Sequence, residues 1–135
     1  EAFDMLQAMN TGHDGSMTTI HANNPRDCTK RLENMILMSG VEMPQKAARE
    51  LIASAIEVII QIRRLEDGTR RCTEIAEITG MEGDTIAIST LFTLEREGRD
   101  PRGFFKCRHV GSGLPPKFLE KLEQEAVPFK LEWLR

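Results

Sequence analysis

Two histidines stand eight residues apart in the stretch NTGHDGSMTTIHANNP, residues 10–25. They are His13 and His21, in a setting of glycine, small hydroxyl and amide residues. Imidazole moves protons most readily near neutral pH, because its unperturbed pKa is about 6.5. Three chemistries suit the pair. The first is structural, with both rings hydrogen-bonded inside a polar loop. The second is a metal site from His13, Asp14 and His21, although seven intervening residues fit no common zinc spacing. The third is a catalytic or phosphate-sensing role. Gly12 and Gly15 flank His13, where a backbone free of Cβ turns tightly and approaches a ligand closely. Ser16 is a weak nucleophile candidate, because no G-x-S-x-G elbow surrounds it.

Arginines form a second cluster. Arg63, Arg64, Arg70 and Arg71 flank Asp67-Gly68. Exposed charge beside a hairpin is ordinary, so a solvated strand end accounts for them. A subunit contact, or an arginine reaching a neighbour's phosphates, is the functional alternative. Arg31 is a further candidate for that reach, against an exposed helix charge four residues from Asp27.

The elements that position these groups follow from periodicity and breakers. Residues 2–9 carry Ala2, Phe3, Leu6 and Met9 on one helical face and end at Asn10-Thr11-Gly12. Residues 17–20 read as a short strand with His21 just past its end. In open α/β sheets that is where ligands sit. Asn24-Pro25 is a helix start, with Asn as N-cap. The helix has Cys28, Leu32, Met35 and Ile36 inward and Gly40 as its left-handed stop. Pro44 opens another helix with Ala48, Leu51, Ile52, Ala55 and Ile56 on one face. Residues 58–65, 71–78 and 85–92 read as strands around turns at Asp67-Gly68 and Glu82-Gly83-Asp84. Residues 96–103, REGRDPRG, are expected to be a flexible loop. Residues 104–110 form a further strand, and a last helix starts at Pro116 with Phe118, Leu119 and Leu122 inward.

Composition bounds the rest. The chain has 135 residues, 40% of them hydrophobic, and a formal net charge of -3. That is a folded domain without the basic face a nucleic-acid partner needs. The longest apolar run, residues 55–62, is too short to span a bilayer. Three scattered cysteines make no disulfide framework and suit a reducing cytoplasm. Glu1 opens directly on a helical pattern with no N-cap before it. The expectation is a fragment of a longer protein.

The segment TGHDGSMTTIHANNPRD, with AFDMLQAMN before it and RLENMILMSG after it, resembles the histidine box of the secretion traffic ATPases. These are P-loop motors of type II secretion, type IV secretion and pilus assembly. The CpaF/TadA-type ATPases of Flp pilus assembly resemble it most. The similarity continues through ELIASAIEVIIQIRRLEDGTRRCTEIAEITGMEGDTI and LFTLEREG, and more loosely at PPKFLEKL.

The resemblance implies an α/β fold: the second half of a RecA-like P-loop NTPase core over residues 1–95, with an antiparallel β meander. Residues 96–135 would be a C-terminal strand and helix extension. It implies a hexameric ATPase using ATP and Mg2+, cytoplasmic and held at the inner membrane by secretion or pilus assembly proteins, with no nucleic acid. His21 would face the γ-phosphate of the nucleotide and His13 would support it from the loop. Gly12, Gly15 and Thr19 would lie on the γ-phosphate side, and Arg31, Arg63 and Arg64 at a subunit interface. No metal ligand is expected in this chain.

The departures bear on activity. No G-x-x-x-x-G-K-[ST] occurs in the chain, so the phosphate cradle is absent. Gly111-Ser112-Gly113 has no Lys-Ser/Thr after it. The acidic Walker B segment would lie before Glu1. The fragment by itself is therefore expected to be inactive and to bind no nucleotide. A non-catalytic interaction module is the alternative, with a histidine-based metal-dependent hydrolase behind it.

Overall fold

The helices form where apolar spacing, caps and breakers agree. A computed structural model describes residues 1–12 and 15–135. Helix α1 (Ala2–Asn10) buries Ala2 and Leu6. Helix α2 (Pro25–Leu37) starts with proline at its first position, and Asn24 caps it by accepting the Asp27 N–H at 2.8 Å. Cys28, Leu32 and Ile36 are buried on its inner face, while Met35 is exposed. Gly40 takes φ +84°, the left-handed conformation expected of a helix stop. Helix α3 (Gln45–Ala55) follows Pro44 and buries Ala48, Ile52 and Ala55.

The second half is a meander of four neighbouring strands in the order β1-β2-β3-β4. These are β1 (Val58–Arg64), β2 (Arg70–Glu82), β3 (Thr85–Arg99) and β4 (Phe105–Gly111). Gly68 and Gly83, with φ +85° and +60°, make the two turns expected at Asp67-Gly68 and Glu82-Gly83-Asp84. Strand β1 is an edge, and Val58, Ile60 and Ile62 on one of its faces are exposed.

The chain packs as two compact units. The first comprises Glu1–Ile59 and Ile78–Ile88, and the second Ile60–Glu77 and Ser89–Arg135. The core of the first unit joins Leu6, Cys28, Leu32, Ile36, Ala48, Ile52, Ile59, Ile78 and Ile86. Burying each leucine or isoleucine side chain among them contributes about 1.5–3 kcal/mol. In the second unit the buried carboxylate of Glu77 accepts the backbone N–H groups of Lys117 and Phe118 at 2.9 and 2.8 Å. Helix α4 (Leu119–Gln124) follows them. A closing 3-10 helix (Leu131–Leu134) packs Leu134 against Gly111.

Three expectations are corrected. Residues 17–20 form no strand: a strand is held by its ladder, and no sheet partner for them occurs among the described residues. Residues 96–99 are not loop but the end of β3. Arg96 and Arg99 lie over the Phe105 ring at 4.5 and 4.1 Å from its centre, and Arg96 meets Glu66 at 3.0 Å. A bulge between Arg96 and Arg99 absorbs one extra residue against β4. The last helix starts at Leu119 instead of Pro116, with Phe118, Leu119 and Leu122 only half-buried.

Candidate functional site

The first helix turn of α2 organises the candidate site. Residues 20–22 lead into it with alternating burial. Ile20 and Ala22 pack against the first unit's core, and His21 between them is exposed. Alternation of this kind comes from extended backbone, in which successive side chains face opposite ways. Asn24 continues it with φ -160° and ψ 170° before the helix begins. His21 is thus presented outward from a segment whose two neighbours are anchored inward.

The other sequence-derived candidates fall as follows. Gly12 and Gly15 have φ +89° and +82°, and a Cβ at either would meet only open space. Conformation, not crowding, favours glycine there. Thr19 is exposed in the lead-in to His21. His13 and Asp14 lie outside the described residues, so the proposed support of the loop and the metal reading rest on the sequence. Arg31 is exposed on α2, while Arg63 and Arg64 are exposed at the end of β1.

Three cations on α2 and α3 were not singled out in the sequence. Arg26 donates Nη1 to the Ile86 carbonyl at 2.8 Å. Arg49 donates Nε to Glu33 Oε1 at 3.0 Å and Nη1 to the Asp84 carbonyl at 3.0 Å. Lys46 lies 3.6 Å from the Asp84 carboxylate. The hydrogen bond that Arg49 donates to Glu33, a buried carboxylate, raises the Arg49 pKa above its ordinary value. Arg26, Asp27, Thr29, Lys30, Glu33 and Arg49 line an open cleft of about 250 Å³ that reaches Thr85 and Ile86. Partners 16 to 60 residues apart leave no periodic signal in a sequence. Cys28 is no nucleophile, because burial pushes its thiol pKa up.

The family model described as "Type II/IV secretion system protein" matches residues 1–113, and the chain belongs to that family. Among curated proteins, it is 36% identical over 89 residues to a putative conjugal transfer protein of Mycobacterium tuberculosis, covering 66% of this chain and 25% of that protein. It is 38% identical over 79 residues to the conjugal transfer protein TrbB of Rhizobium radiobacter, covering 58% and 23%. It is 34% identical over 76 residues to the type IV secretion system protein VirB11 of Bartonella henselae, covering 55% and 21%. The match spans about a quarter of the length of these relatives. No described helix is long and apolar enough to cross a membrane.

Proposed function

We propose that this chain is the histidine-bearing part of an ATPase that powers type II or type IV secretion or pilus assembly, with the Flp pilus type as the subtype. Residues 1–95 are the second half of a RecA-like core, and residues 96–135 extend it. In the whole protein the motor is a hexamer that uses ATP and Mg2+. It sits in the cytoplasm and is held at the inner membrane by secretion or pilus assembly proteins.

The residues here fit a contact at the terminal phosphate and not the cradle that holds a nucleotide. The chain contains no G-x-x-x-x-G-K-[ST], while His21 is exposed between two anchored neighbours. That placement is the observation that carries the reading. ATP hydrolysis depends on a positioned water and on stabilised phosphoryl charge, so a fixed imidazole at the γ-phosphate contributes by placement. His13 supports the loop, and Gly12, Gly15 and Thr19 lie on the γ-phosphate side. Arg31, Arg63 and Arg64 face a neighbouring subunit.

The test is His21→Ala in the full-length protein. Turnover falls about 10²–10³-fold, the usual effect of removing one positioned hydrogen-bonding group. ATP affinity stays near wild type, because the phosphate loop holds the nucleotide. Wild-type turnover in that variant, with assembly intact, defeats the proposal.

A further inference from the structure

We propose that Arg26 is a positioning residue for His21, clamping the first turn of α2 to the start of β3. The inference rests on the reading of His21 given above. Arg26 is the second residue of α2. A cation at a helix N-terminus opposes the helix dipole, so local helix energetics disfavour it there. Its guanidinium instead reaches a carbonyl 60 residues away, at 2.8 Å, on a residue only 4% exposed.

The clamp has a defined reach. Ile20, Ala22 and Ile86 pack in one core, so the His21 lead-in and the strand that Arg26 grips share a frame. Asn24 closes the same turn locally through the Asp27 N–H. Further along α2, Glu33 and Arg49 tie the helix separately to the turn carrying Asp84. Cys28, Leu32 and Ile36 hold its inner face. Losing Arg26 therefore removes a long-range tie from the first turn of α2, which starts four residues after His21, and leaves the remaining helix in place. A small displacement of a positioned group is enough to slow phosphoryl transfer, which depends on placement.

The experiment is a double-mutant cycle on ATP turnover by the full-length oligomer, with Arg26→Ala, Arg26→Lys, His21→Ala and the Arg26→Ala/His21→Ala pair. Arg26→Ala lowers kcat about 10- to 100-fold with KM for ATP within about twofold. Arg26→Lys, which keeps one charged donor, restores most of the rate. On the His21→Ala background, Arg26→Ala has no further effect, because its action passes through the imidazole. Equal losses on both backgrounds, an unchanged kcat in Arg26→Ala, or no rescue by lysine overturns the positioning role alone. Wild-type turnover in His21→Ala overturns the histidine reading and the Arg26 proposal together. Thermal melts of each variant separate a loss of folded protein, which the lysine variant avoids, from a loss of rate.

Discussion

Phe118 donates its backbone N–H to the buried carboxylate of Glu77 at 2.8 Å, 41 residues away, while Lys117 donates to the other oxygen. Both carboxylate oxygens are therefore engaged where the chain turns toward α4. Glu77→Gln keeps the shape but sets an amide N–H against one backbone donor. Leaving a buried donor unsatisfied costs about 1–3 kcal/mol. Urea unfolding of the variant shows a lower midpoint and an unfolding free energy reduced by that order. An unchanged midpoint refutes this role for Glu77.

Asp67 sets an acid limit on the second unit. The Thr69 hydroxyl donates to Oδ1 at 2.6 Å, with the Thr69 N–H on the same oxygen and the Phe105 N–H on Oδ2 at 2.7 Å. The hydroxyl first, and the backbone donors with it, hold the carboxyl pKa down to about 2. The ionised form is thus favoured in the fold relative to the unfolded chain, where the pKa is about 3.9. The stability it contributes is present above about pH 4 and is lost as pH falls toward 2. Asp67→Asn is less stable than wild type at neutral pH, and the two converge in acid. Parallel stability curves across that window contradict the assignment.

Gly111 makes room for the C-terminal 3-10 helix. A Cβ there would fall on the Leu134 backbone, and Gly113 donates its N–H to the Leu134 carbonyl at 2.7 Å. Gly111→Ala therefore displaces Leu134, which is fully buried. Trp133, the single tryptophan, reports the change because its ring meets Phe129 edge-on at 5.5 Å. Its fluorescence shifts to longer wavelength and becomes more accessible to iodide. Identical spectra in the two proteins argue against the packing described.

Residue order alone determined much of this protein. Helix starts at Asn24-Pro25, the stop at Gly40, the glycine turns at Gly68 and Gly83 and the inward faces of α3 and, apart from the exposed Met35, of α2 follow from local rules: caps, φ > 0 and 3.6-residue periodicity. The family was equally legible in the residue order, and the type II/IV secretion family model matches residues 1–113. Tertiary structure decided what depends on distant partners. Residues 17–20 have strand composition but no ladder among the described residues. Residues 96–99 have loop composition yet continue β3, because Arg96 and Arg99 find the Phe105 ring on β4. The grips of Arg26 on Ile86 and of Glu77 on Phe118 span 60 and 41 residues. Such bonds are absent from local pattern because chain separation does not encode distance. They exist only once burial of the apolar faces has brought the backbone donors and acceptors together.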